Sequence, residues 1–319
     1  RLRVGRNTRH ELQPAHPQLP NQQRYRCKLH RPCKKTAMTQ TNEAANNLSH
    51  YPELAAKQSS WQHHFQCDAL NGKTILVTGA GDGIGSATAK TYASFGANVI
   101  LFGRTRSKLE AVFDWIEKHT ETSPVIVPCD LENLDGATVE HLADSIMENF
   151  GQLDGLVHNA SRLGPKVPIA HYPADEWQKV MQTNVNAVFM LNKGLFELLD
   201  KSENACVIHT SSSVGREARA YWGAYAASKF ALEGLSQLFA DETETAGNIH
   251  VYSVNPGGTR TAMRREAYPL EDPAILPTPE DHMELYLALM CSKDQVSGNV
   301  VNFTTGQQID ARTWLEGSS

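Results

Sequence analysis

From residue 73 onward the chain alternates short apolar runs with stretches of helical period, and nothing else in the sequence constrains its fold as tightly. The runs are 73-KTILVTG, 98-NVILFG, 124-PVIVPC, 154-DGLVHNA, 205-ACVIHTS, 249-IHVYSVNPG and 298-GNVVNF. Most are nearly continuous in Val, Ile and Leu, the pattern of strands buried on both faces. Between them Leu109, Val112, Phe113 and Ile116 recur on one helical face, as do Val139, Leu142, Ile146 and Phe150. Such a series predicts an α/β, doubly wound Rossmann fold: a seven-stranded parallel sheet with helices on both faces. Ligands of such sheets bind at the carboxyl ends of the strands. Near the end, 278-TPEDHMELYLALM sets Thr at an N-cap, Pro in the first turn and an acid at the third position of a helix.

The alternation bounds a domain at residues 72–306. Residues 38–71 are polar with one weak helical stretch and form a leading arm; residues 307–319 are expected to be a loose tail. Residues 1–37 hold ten Lys/Arg and a single acid, Glu11. With few apolar residues they cannot build a core and are expected to be disordered, outside the native fold, with translation starting at Met38. A transit peptide shares that charge, but the stretch lacks an amphipathic period. A nucleic-acid arm shares it too, without interleaved aromatics, so no nucleic-acid partner is expected.

The remaining chain carries 20 basic and 34 acidic side chains, a net −14. No run of 18 apolar residues exists, so no membrane-spanning helix is expected. Six scattered cysteines without paired spacing point to a reduced, cytoplasmic setting. The segment 27-CKLHRPC-33 is not read as a metal site, and no metal is expected.

The first strand runs into 78-TGAGDGIG-85. Gly79, Gly83 and Gly85 follow Thr78 and open a helix. Glycines there permit a tight turn, close approach of backbone to a diphosphate, and close helix–sheet packing. The helix N-terminus then offers its N–H groups to the phosphates. The second strand ends in 102-FGRTR, with no acid to hold a ribose 2′-hydroxyl. Arg104 is placed to grip a 2′-phosphate and Thr105 to add a hydroxyl, so NADP(H) is favoured over NAD(H). Asp82 puts a negative charge nearby. Asp130, after the third strand, is a contact for the adenine end.

The stretch 210-TSSSVGREARAYWGAYAASK-229 carries the chemistry. A lysine ammonium near a tyrosine favours its phenolate. Tyr225 and Lys229 are four apart on one helix and share a face. Ser212, at the end of the fifth strand, would hold a substrate oxygen where charge develops. Ser211 and Ser213 are expected to point the other way. Tyr221 is about 12 Å from Lys229 along a helix and is expected to pack or touch substrate.

These motifs resemble the short-chain dehydrogenase/reductase family, the group of about 250 residues, and within it the bacterial YciK-type oxidoreductases. TGxxxGxG is matched by Thr78, Gly79, Gly83 and Gly85; Ser-x12-Tyr-x3-Lys by Ser212, Tyr225 and Lys229; and PGxxxT by Pro256, Gly257 and Thr261. The similarity covers residues 72–306. It implies an NADP(H)-preferring oxidoreductase that interconverts a carbonyl and an alcohol by hydride transfer, with Tyr225 as general acid/base. It adds Asn184 as a catalytic residue whose backbone helps hold a relay water, Asn186 being its sequence rival. It further implies cofactor contacts at Ile84, Leu131, Asn159, Thr259, Tyr225 and Lys229. A small-molecule substrate and a homodimer or homotetramer also follow. Within the same class stands a 3-oxoacyl-thioester reductase, and outside it a non-catalytic dinucleotide-sensing or scaffold protein.

Three departures stand out. The family's Asn-Asn-Ala-Gly is 158-HNAS-161 here, and His158 is read as a buried, hydrogen-bonded core residue. Ser161 replaces a glycine at the cofactor wall. The frequent Asp-Gly-Gly after the last strand is replaced by 304-TTG, which bears on the family's tetramer contacts. Finally, Arg162, Lys166, Arg216, Arg219, Arg260, Arg264 and Arg265 on the substrate side suggest attraction of an anionic substrate.

Overall fold

The computed structural model describes residues 48–292, 297–298, 300–302 and 308–309. Residues 1–37, the 27–33 segment, Met38 and 304-TTG lie outside the described residues. Helix α1 (Pro52–Gln58) leads into β1 (Thr74–Thr78), α2 (Gly83–Ser94), β2 (Asn98–Gly103), α3 (Arg106–His119) and β3 (Val125–Pro128). Next come α4 (Gly136–Phe150), β4 (Gly155–His158), α5 (Ala174–Met181), α6 (Ala187–Gly194), α7 (Phe196–Asp200) and β5 (Ala205–Thr210). Last are α8 (Gly223–Thr243), β6 (Ile249–Asn255), α9 (Ala262–Ala267), α10 (Met283–Cys291), β7 (Val300–Asn302) and β8 (Gln308–Ile309).

All seven expected strands form, in one sheet of order β3-β2-β1-β4-β5-β6-β7-β8. The pairs from β3 through β7 are parallel. The sheet gains one strand over the expectation: Gln308–Ile309, in the segment read as a loose tail, pairs antiparallel with β7. A two-residue strand is too short to show a period in sequence.

Side-chain alternation explains the continuous apolar runs. Ile75 and Val77 of β1 face one layer, with Tyr92, Val112, Ile116 and Leu287 from α2, α3 and α10. Leu76 faces the other, with Val139, Leu142, Ile146, Leu191 and Leu198 from α4, α6 and α7. Both faces exclude water along the central strands, which are apolar at nearly every position, while the edge strand β3 is partly exposed. The leading arm joins the first layer: Leu48, Tyr51 and Leu54 are buried in it. Tyr51 donates to Glu280 at 3.0 Å, and Lys57 pairs with Asp281 at 2.6 Å. Thr278 and Asp281 form the expected capping box, on a short 3₁₀ turn (Pro279–His282) that runs into α10.

Strand order reverses at β1, with β2 and β3 to one side and β4 onward to the other. This is the switch point where such sheets open a crevice. Thr78 ties it together: its Oγ1 donates to the Val157 carbonyl at 3.1 Å and accepts from the N–H groups of Asn159 (3.0 Å) and Ala160 (3.1 Å). Among the described residues no helix is long and apolar enough to cross a membrane.

Candidate active site

The loops after β1, β2, β3, β4, β5 and β6 surround one cleft of about 880 Å³. At its phosphate end Gly79, Gly83 and Ile84 line the surface. Thr78 and Gly85 lie beneath. A Cβ on Gly85 would stand 2.3 Å from the Gly79 carbonyl oxygen, so a larger residue would push α2 away from the turn. Asp82 caps α2 by accepting from the Gly83 N–H at 2.8 Å. Its charge is met by Lys108, whose ammonium lies 2.5 Å away and whose hydrogen bond holds the carboxyl below the usual range. The negative charge that Asp82 puts near the glycine turn is thus met within the protein.

Arg104 and Thr105 line the cleft after β2, both exposed, with Thr105 at the N-cap position of α3. Five cationic side chains line the cleft: Arg104, Lys108, Arg162, Lys229 and Arg264. Among the described residues, Arg104 alone of these has no protein partner. Asp130 and Leu131 line the wall after β3, where Asp130 accepts from the Glu132 N–H at 3.1 Å. Asn159 lines the floor and donates to the Thr78 carbonyl at 3.2 Å. On the β6 side Pro256, Gly257, Thr259 and Thr261 line it, and Thr261 caps α9 by accepting from the Arg264 N–H at 3.2 Å.

The reacting end is built from β5 and α8. Ser212 follows the strand in extended conformation and precedes a 3₁₀ turn, Ser213–Gly215. Tyr225 and Lys229 stand one turn apart on α8, and both line the cleft with Ser212. The Tyr225 phenol and the Ser212 hydroxyl are hydrogen-bonded. The Lys229 ammonium donates to the Thr210 carbonyl at 2.7 Å and lies 5.5 Å from the centre of the Tyr225 ring. Gly215 permits this contact between turn and helix, since a Cβ there would meet the Lys229 backbone at 2.9 Å.

Burial pushes the Tyr225 phenol up to about 12, opposed by the Ser212 hydrogen bond. Burial also pushes Lys229 down to about 8, opposed by Glu233. The expected lowering of the phenol by the lysine does not prevail. Desolvation is the larger effect, and the ammonium is directed at the Thr210 carbonyl.

Asn184 does not line the cleft. It is buried in a π-helical turn, Gln182–Asn186, where the helix inserts an extra residue. Its amide accepts from the Arg162 N–H at 2.7 Å and donates to the Arg162 carbonyl at 3.0 Å and to Ser228 Oγ at 2.9 Å. Ser228 in turn donates to the Tyr225 carbonyl at 2.7 Å. Asn184 therefore couples the loop after β4 to the helix that carries Tyr225. Asn186 is exposed and bonds only locally, to Gln182.

His158 turns into the core, as expected. Its Nε2 lies 2.7 Å from Asn192 Oδ1, and Asn192 Nδ2 lies 3.2 Å from His209 Nε2. The two imidazoles stack at 5.0 Å and 4°. Burial pushes His158 down to about 4 and holds His209 well below the usual histidine range.

Other expectations need correction. Ser213 is exposed, but Ser211 lines the cleft beside Ser212. Tyr221 lies outside the cleft, exposed in an outer groove with Ile169, Trp177 and Phe230. The basic residues suggested for an anion are largely engaged by the protein itself. Arg162 pairs with Glu132 (2.5 Å) and Glu176 (2.7 Å), Arg216 with Glu233 (3.3 Å), and Arg264 with both oxygens of Glu271 (2.6 Å). Arg260 donates to the Ala274 and Leu276 carbonyls. Arg219 and Arg265 are exposed and do not line the cleft.

Sequence reasoning missed Lys108, Thr183 and Thr210. Lys108 could have been found from its place in the first turn of α3, facing the glycine turn; Thr183 only from its position next to Asn184. The cleft fits a polar ligand by one further observation. The hydroxyls of Ser161, Thr183 and Ser211 line it and are buried without a hydrogen-bond partner among the described residues.

Residues 73–272 match the family model of short chain dehydrogenases. The chain is 48% identical over 245 residues to the uncharacterised oxidoreductase YciK of Escherichia coli K12, covering 77% of this chain and 94% of that protein. It is similar to a short chain dehydrogenase of Shigella flexneri solved in complex with NADP, at TM-score 0.73 and 48% identity over 75% of this chain and all of that one. A counterpart from Escherichia coli CFT073, solved with NADPH, aligns at TM-score 0.72 and 48% identity over 75% of this chain and 99% of that one.

Proposed function

Because this chain belongs to the short chain dehydrogenase family, whose members are oxidoreductases, we propose that it is an NADP(H)-preferring enzyme (EC 1.1.1.-) interconverting a carbonyl and an alcohol. One observation carries the reading: Ser212, Tyr225 and Lys229 converge in the cleft that the glycine turn opens. The NADP and NADPH held by two related structures support the cofactor assignment.

In this reading the N–H groups of Gly83, Ile84 and Gly85 at the start of α2 hold the diphosphate. Arg104 and Thr105 hold the 2′-phosphate, Asp130 and Leu131 the adenine end, and Asn159, Tyr225 and Lys229 the nicotinamide ribose. Pro256, Gly257, Thr259 and Thr261 border the nicotinamide. When bound, the dinucleotide supplies hydride to the carbonyl carbon. Ser212 donates a hydrogen bond to the substrate oxygen as charge develops there. Tyr225 transfers its phenolic proton to that oxygen, completing the alcohol. A phenol raised to about 12 is protonated at neutral pH, the form that reduction requires. Lys229 stabilises the phenolate left behind, and the turn at Asn184 supports resupply of the proton.

The same reading carries a small-molecule substrate, a cytoplasmic location and a homodimer or homotetramer. Phe189 on α6 and Phe230 and Leu238 on α8 are exposed, and association would cover them. The test is NADPH consumption across a panel of carbonyl compounds, with Tyr225→Phe as control. Turnover abolished in the variant while NADPH still binds supports the assignment. Binding without any turnover by the native protein overturns it in favour of a dinucleotide sensor.

A further inference from the structure

One side of the reacting end of the cleft is walled by carbon. Tyr225 packs in one cluster with Leu163, Val214 and Ala267, bordered by Trp222 and Met263. Of these, Leu163, Trp222, Met263 and Ala267 line the cleft itself. The Trp222 indole stands 5.7 Å from the Tyr225 ring at 47°, an aromatic corner beside the phenol.

Charges close to this corner are already committed. The Lys166 ammonium donates to the Ala267 carbonyl at 2.9 Å and sits over the rings of Trp222 (4.6 Å) and Tyr268 (4.3 Å). Arg264 lies 4.0 Å over the Tyr268 ring while its Nε and Nη2 engage Glu271. These contacts hold α9 in place and engage both of these cations, leaving Lys229, bonded to the Thr210 carbonyl, as the charge beside the phenol. Glu266 also lines the cleft, and among the described residues it has no partner. A carboxylate next to the reacting carbonyl would lose water against these apolar walls and share the cleft with the like charge of Glu266, itself exposed.

We propose that the substrate is uncharged and apolar beside its carbonyl: an aryl or branched-alkyl ketone, aldehyde or keto ester, and not a keto acid. The proposal rests on the carbonyl–alcohol reading above. The reaction balances as carbonyl compound, NADPH and one proton giving alcohol and NADP⁺.

The experiment uses matched ester and acid pairs, ethyl benzoylformate with benzoylformate and ethyl 3-oxobutanoate with 3-oxobutanoate, alongside propanal. NADPH oxidation gives kcat/KM for each. The esters are expected to exceed their acids by roughly tenfold or more. Trp222→Ala should lower kcat/KM for the aryl ester at least about tenfold more than for propanal, while Trp222→Phe should largely restore it. Acids turned over as fast as their esters would overturn this inference and leave the carbonyl–alcohol reading standing. So would a Trp222→Ala protein that loses the ester and propanal alike. No turnover of any carbonyl by a protein that binds NADPH removes the reading and this inference together.

Discussion

The Lys229 ammonium donates to the Thr210 carbonyl at 2.7 Å, joining helix α8 to the last residue of strand β5. The strand end that delivers Ser212 and the helix that delivers Tyr225 are thereby held by the lysine that lies between them. The lysine is a strut as well as a charge, and changes at these residues should separate the two roles.

Tyr225→Phe removes the proton donor and one hydrogen bond to Ser212 but keeps the ring in its apolar cluster. Turnover of a carbonyl substrate should fall by about 10²–10⁴-fold. NADPH affinity, followed by fluorescence, should change by less than about tenfold, because one hydrogen bond is worth only about 1 kcal/mol.

Lys229, pushed down to about 8, is an ammonium below that pH and a neutral amine above it. The charge that stabilises a Tyr225 phenolate is present on the acid side. The kcat/KM for reduction should therefore hold from neutral pH to about 8 and decline beyond it. A pH–rate profile flat to pH 10 would contradict this.

Among the described residues, Arg104 is the cleft cation without a partner. Arg104→Ala should raise the Kd for NADPH by about 10–100-fold, the loss of a charge-assisted hydrogen bond of about 1.5–3 kcal/mol. The Kd for NADH should stay nearly constant. Titration with both dinucleotides checks the difference.

His158 is stacked on His209 and pushed down to about 4 by burial. The unfolded chain binds this proton near 6.5. Between those values the unfolded state holds more protons, so stability falls as pH falls. The contribution is fully present above pH 6.5 and is lost as pH drops through about 4, a span worth about 3 kcal/mol. Urea unfolding of His158→Asn should show a shallower loss of stability from pH 6.5 to 4 than the native protein.

Gly215→Ala places a methyl 2.9 Å from the Lys229 backbone. The Ser213–Gly215 turn must shift, carrying Ser212 with it. Activity should drop by at least about tenfold, and the cost in stability should be about 1–3 kcal/mol, as for other overpacked sites. Turnover and thermal unfolding, measured on one preparation, distinguish displacement of the site from general unfolding.

Much of this was legible in the chain. The Ile75–Leu76–Val77 run already implied burial on both faces, and the two layers of the core confirm it. Glycines 79, 83 and 85 announced the turn because backbone geometry admits few other residues there. Tyr225 and Lys229 declared themselves by helical spacing. The two-residue strand β8 was invisible because it has no period, and the leading arm hid its anchors, Leu48, Tyr51 and Leu54, in a polar stretch.

The basic residues on the substrate side show where reading the chain stops. Charge counted along the sequence suggested an anion site, because a sequence shows charges without their partners. Glu132, Glu176, Glu233 and Glu271 neutralise those arginines from positions that only folding brings near. Burial acted in the same way on Tyr225, whose proton affinity rose where a neighbouring lysine alone implied a fall. Sequence by itself determined the periodicities and the local spacings, hence the sheet, the glycine turn and the pairing of Tyr225 with Lys229. Tertiary structure alone decided which charges remain unpaired and which groups lose their water, because pairing and desolvation depend on distances between residues far apart in the chain.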